Sequence, residues 1–195
     1  MIRRLALSAF MGPAFVALLL LAGPAAVQAA PAPAVPASQA AADRLAACLW
    51  NGLPSGLRET FAADYPVKGP KALDALSSVD DAMGARLMAG CGIPNDDLTR
   101  VGHLLAAHGL KSGAGAQLKS RWNVDTARID AAWAAVPLAR RQPLIEAART
   151  FAALNGEQRV PITDICAELG ITDPDAQAQV SVYLMGEAVI AANTN

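Results

Sequence analysis

Three cysteines, two histidines and a scatter of carboxylates are the residues of this 195-residue chain that could do chemistry. Cys48 lies beside Leu45 and Leu49, Cys91 follows Met83 and Leu87 at helical spacing, and Cys166 falls with Ile165 and Leu169. This patterning predicts that all three thiols point inward from helices. A catalytic thiol needs exposure and a neighbouring base, and no spacing places His103 or His108 beside a cysteine. Five positions apart on a helix, the histidines differ by about 140° around the axis and cannot share a metal as an i, i+4 pair does. No metal site, catalytic residue or cofactor-binding motif is therefore expected, and His108 reads as a helix-end residue and His103 as a surface one. Asp125, Asp130, Glu146 and Asp164 could converge as an acid and base pair does in glycoside hydrolysis, although no sequence spacing requires it.

The fate of the cysteines depends on where the chain goes. Arg3 and Arg4 precede an uncharged stretch from Leu5 to Ala26, and small residues then lead to Val27, Gln28 and Ala29. That order of charged, apolar and small segments is the pattern of a secretory signal peptide, residues 1–29, with cleavage expected near Ala29. Gly12, Pro13, Gly23 and Pro24 interrupt the run and argue against a membrane anchor, since spanning takes about 20 apolar residues. The letters LAAC before Cys48 imitate a lipoprotein acylation box, but Cys48 lies beyond the Pro/Ala leader (residues 30–37) and after Asp43 and Arg44. A lipidated cysteine directly follows the apolar segment, so no anchor is expected there. The product is expected in the bacterial periplasm or secreted, without a transmembrane span after cleavage.

In an oxidising compartment two inward thiols on neighbouring helices are expected to pair. Three pairings are open. Cys48 with Cys91 is favoured, because both lie near helix ends in the same half of the chain; the competing reading is three buried free thiols.

The positioning elements read as helices throughout. The chain has 44 alanines and only 5% aromatic residues, a balance that suits helices packed through small side chains. Expected starts are Ser38, a capping box of Ser78 with Asp81, and caps at Asn95, Asn123 and Asp173, the last followed by Pro174. Leu53, Leu57, Phe61 and Tyr65 recur every four residues up to Pro66, and Leu98, Val101, Leu105 and His108 should share a buried side. Trp122, Ile129, Trp133 and Val136 form an aromatic stripe, and Leu144, Ala148, Phe151 and Ala152 an inward face beginning near Pro143. The final helix, through VSVYLMGEAVIAA, is apolar on more than one side with Glu187 its lone later charge, so it should be central in the C-terminal half. No alternating strand pattern of useful length is present. The fold class expected is all-α: a compact bundle of short Ala-rich helices forming a single domain over 38–195. The glycine-rich LKSGAGAQLKS, residues 110–120, offers a hinge between lobes 38–109 and 121–195.

ITDICAELGITDPDAQAQV, with Gly170 at the turn and Ile165, Leu169 and Ile171 at apolar positions, resembles the helix-turn-helix of bacterial transcription regulators. The resemblance implies a DNA-binding function. Charge points the other way: residues 160–195 hold five carboxylates and no Lys or Arg, whereas a helix presented to phosphates is basic. No nucleic-acid partner is expected. Without residues 1–29 the chain keeps 14 basic and 17 acidic residues, a formal net charge of −3. Lys119, Arg121, Arg128, Arg140, Arg141 and Arg149 make its middle basic, which could attract an anionic envelope component. The expectation is thus an exported noncatalytic helical protein that binds an envelope partner or gives structural support. A small exported hydrolase with convergent carboxylates is the alternative, and a DNA-binding protein the third reading.

Overall fold

The computed structural model describes residues 37–94, 96–150 and 153–194. The signal segment and the leader up to residue 36, the expected cap Asn95 and the expected inward residues Phe151 and Ala152 lie outside the described residues, and Ala37, expected as the end of the leader, already belongs to the first helix.

Helices α1 (Ala37–Gly52), α2 (Ser55–Lys68), α3 (Asp81–Gly90), α4 (Leu98–Trp122), α5 (Thr126–Ala135), α6 (Leu138–Ala148), α7 (Gly156–Glu168) and α8 (Pro174–Ala192) follow in order, with a 3-10 helix at Gly69–Ser78 after α2. The described residues form no strand, so the fold is all-α. Aspartates start four of the helices: Asp80, Asp97, Asp125 and Asp173 each accept a backbone N–H of the first turn. A capping box of Asn155 with Gln158 starts α7. The cap of α3 is thus Asp80 and not Ser78, and Asn123 is the left-handed C-cap of α4, not the start of α5. Pro66 lies inside α2, which continues past it to Lys68, and α6 begins five residues before Pro143.

Among the described elements α4 and α8 share the most extensive contact, and α1 packs on both. Along α8 every residue from Gly186 to Ile190 is buried, as are Val180, Tyr183 and Leu184. Leu104 and Leu118 of α4 are fully buried against the same core. The last helix is therefore central to the whole described region, not only to its C-terminal half.

Residues 110–120 are no hinge: they continue α4 without a break over 25 residues. The glycines there, and Gly109 just before them, serve close packing. A Cβ on Gly113 would run into the ring of Tyr65, and one on Gly109 would sit 3.0 Å from both Trp50 and Leu73. Small residues in a helix read as flexibility in the sequence, whereas here they let bulky neighbours approach the helix backbone.

The cysteines also differ from expectation. Cys48 is exposed and Cys91 half-buried, so only Cys166 faces inward. The buried stripe of α1 is Ala42, Ala46, Leu49, Trp50 and then Leu53, which turns Cys48 to the rim. Cys48 and Cys91 are joined by a disulfide across a Cα separation of 5.9 Å, tying α1 to the residue that caps the end of α3. Among the described residues no helix is long and apolar enough to cross a membrane.

Candidate functional site

Helical spacing gathers one polar face from each of four elements. Gln39 and Asp43 are one turn apart on α1; His108, Lys111, Ser112 and Lys119 follow one stripe of α4; Asp130 and Trp133 share a face of α5; Tyr183 and Glu187 share a face of α8. With Arg141 of α6 they line a cavity of about 720 Å³.

The centre of this cavity wall is a buried ion pair. Glu187, only 3% exposed, receives the Lys111 ammonium on one carboxylate oxygen and the Gln39 amide on the other, at 3.1 Å. Lys111 also contacts Asp43 at 3.2 Å. Burial pushes the Glu187 carboxyl up to about 7, against the opposing pull of the Lys111 charge. Burial alone would lower Lys111, but the carboxylates of Glu187 and Asp43 more than offset it and hold the ammonium above its ordinary value. Within the pair the lysine therefore keeps its proton, and the carboxyl is the group that titrates near neutrality.

Around this pair the remaining groups divide by whether they have partners. The Tyr183 hydroxyl donates to Asp130 at 2.8 Å, and burial followed by the Asp130 charge drives the phenol far above its usual range, so it stays a donor. Burial and then Lys111 lower His108, which keeps the imidazole neutral. Asp125 is engaged as the cap of α5 and Lys119 donates to Asn123. Arg141 and Trp133 differ. The guanidinium lies over the Trp133 ring at 5.1 Å, yet Arg141 Nε and Trp133 Nε1 are buried with no acceptor among the described residues.

The structure sorts the sequence candidates accordingly. Asp125 and Asp130 reach the cavity. Glu146 stays on the surface with Gln142 and Arg149, and Asp164 pairs there with Arg140 at 2.7 Å. Of the basic residues, Lys119 and Arg141 line the cavity, Arg121 stacks on Trp122, and Arg140 and Arg149 are held in surface pairs. Sequence reasoning missed Gln39, Asp43, Lys111, Tyr183 and Glu187 as one site. The available signal was the single charge on an apolar helix at Glu187, one turn after Tyr183; a charge is rarely buried without a partner, so it demanded a cation from another element.

The second helix of the helix-turn-helix resemblance is α8, whose middle and end are enclosed by α4, α1, α6 and α7. Gly170 does make the turn, with φ +69°, but the turn leads into the core. Among the described residues no cluster of His, Cys, Asp or Glu is arranged to hold a metal. Comparison with protein-family models, curated proteins and solved structures gives no match.

Proposed function

We propose that this protein is an exported helical binding protein that takes a small polar solute into the cavity between α1, α4, α5 and α8. The observation that carries the reading is the wall of that cavity: two buried charged residues, Glu187 and Arg141, are kept beside open space in a bundle whose buried side chains are otherwise almost all apolar. Burying charge costs stability, and such groups gather where a protein binds or reacts. A volume of about 720 Å³ also falls within the range of small-molecule sites, roughly 300–1,000 Å³. Export is supported by the leader pattern over residues 1–29 and is consistent with the disulfide. An envelope partner or an anionic envelope component remains part of this reading through Arg121 and Arg128, since Arg140 and Arg149 are already paired.

Calorimetric and thermal-shift titration with a panel of amino acids, short peptides, sugars, polyols and nucleosides tests the binding reading. Saturable binding weakened by Glu187→Gln or Arg141→Met supports it, and a panel without any binder overturns it. Intact mass of the protein recovered from the cell envelope tests export, the expected species beginning at Ala30.

The hydrolase alternative is favoured by one observation: a carboxyl titrating near 7 shares the cavity with Asp43, Asp125 and Asp130. A general acid needs such a value. Turnover of chromogenic glycosides or esters that falls at least 100-fold in Glu187→Gln would establish that reading over simple binding.

A further inference from the structure

We infer that Arg141 and the indole N–H of Trp133 seat the carboxylate of a small zwitterionic ligand, an amino acid or short peptide, in the α1/α4/α5/α8 cavity. This rests on the binding reading given above and names its ligand class.

The inference starts from what the cavity lacks. Its acceptors are served: Glu187 by Lys111 and Gln39, Asp130 by Tyr183, Asp125 by the Ala127 N–H. Its two buried orphans are both donors, Arg141 Nε and Trp133 Nε1. Arg141 is 7% exposed and Trp133 2%; the Arg141 backbone N–H donates to the Pro137 carbonyl, but within the described residues its guanidinium makes no hydrogen bond or ion pair and lies over the face of the Trp133 ring. A buried polar group normally has a partner, and a guanidinium stacked on an aromatic ring presents its remaining edge as a planar fork matched to a carboxylate. The ring holds the guanidinium beside the cavity, whose wall Trp133 also lines.

Charge sets the rest of the ligand. Once a carboxylate neutralises Arg141, the lining retains four carboxyls, on Asp43, Asp125, Asp130 and Glu187, against the ammonium groups of Lys111 and Lys119. The acidic surplus repels a dianion such as phosphate and attracts a cation. A ligand bearing a carboxylate at one end and an amine at the other meets both demands. The cavity, at about 720 Å³, admits more than a single amino acid, so peptides of two to four residues belong to the class.

The test uses the mature, oxidised protein and the twenty amino acids with the Ala-Ala-X tripeptides, each as free acid, C-terminal amide and N-acetyl derivative, and inorganic phosphate. At least one free acid should bind saturably below 1 mM, roughly −4 kcal/mol. Its amide should bind at least 30-fold more weakly and its N-acetyl form at least fivefold. Trp133→Phe, which keeps an aromatic face but loses the N–H together with the five-membered ring, should weaken the free acid three- to tenfold relative to the amide. Arg141→Met should abolish the free-acid preference, and its melting temperature without ligand should equal or exceed that of the wild type, because an unpaired buried charge has been removed. A merely structural Arg141 would lower the melting temperature and leave the acid/amide ratio intact. Equal binding of acid and amide, tighter binding of phosphate, or binding by no zwitterion overturns the inference. If sugars or nucleosides then bind in a manner sensitive to Glu187→Gln, the solute-binding reading stands without it; if no solute binds, both fall.

Discussion

Glu187 is the residue on which pH acts most directly. Its carboxyl is raised from 4.5 to about 7 by burial, so between those values the folded state holds more proton than the unfolded chain. Its contribution to stability is therefore greatest at low pH and is lost as pH rises through that window, by up to about 3 kcal/mol. His108 works the other way. Lowered by burial and Lys111, it takes up protons more readily when unfolded, so its contribution falls as pH drops below 6.5. Urea titrations from pH 5 to pH 8 should show the stability difference, wild type minus Glu187→Gln, declining as pH rises, while the His108 effect cancels between the two proteins. A pH-independent difference would place the Glu187 carboxyl in the ordinary range. Cys166 offers a second check at this scale: its thiol is buried and raised by that burial, so it should resist thiol reagents in the native state. On unfolding without reductant one thiol per chain should titrate.

Among the elements, the α4–α8 pair carries both the core and the site. Gly186 lies where a Cβ would stand 2.8 Å from the Ala107 carbonyl oxygen and 2.7 Å from Lys111 Cγ. Gly186→Ala should therefore cost about 1–2 kcal/mol, overpacking outweighing the gain in helix propensity. It should also weaken binding through the displaced Lys111. Gly102, on α4 with nothing within 4 Å of its Cβ position, predicts the opposite: Gly102→Ala should gain about 0.5–1 kcal/mol in the same urea measurement. These two glycines also show where the sequence was legible. Helical periodicity and polar caps revealed the all-α class, the Asp173–Pro174 start of α8 and the apolar anchors Ile129 and Trp133. Gly113 and Gly115 read as a break because a lone sequence does not show Tyr65 and Thr126 pressed against them. The face of α1 was misread by a fraction of a turn, since alanine on both sides leaves little contrast between inside and outside.

For the molecule as a whole, the site was less legible than the fold. Asp125 and Asp130 lie close to Trp133 in the chain and could be singled out together, whereas Gln39, Lys111 and Glu187 are brought together from residues 148 positions apart at the extremes. Such convergence is a product of topology, which no local pattern encodes. The same long reach makes the covalent link consequential for stability. The Cys48–Cys91 bond closes a loop of 43 residues, and Cys48→Ala with Cys91→Ala should lower stability by about 4 kcal/mol in the loop-entropy picture. Chemical denaturation of the double variant against the oxidised parent measures it. A loss below 1 kcal/mol would mean that the helices around the bond are already held by packing.

That bond secures the helix from which Gln39 and Asp43 enter the cavity wall. A newly made chain whose two sulfurs are still reduced would hold α1 by packing and by the Gln39–Glu187 and Lys111–Asp43 contacts alone, and the cavity wall it supplies would be less firmly held. On the proposed reading of an exported solute-binding protein, capture would then begin only after oxidation, and a polypeptide in transit would neither sequester the cell's internal pool nor arrive already loaded.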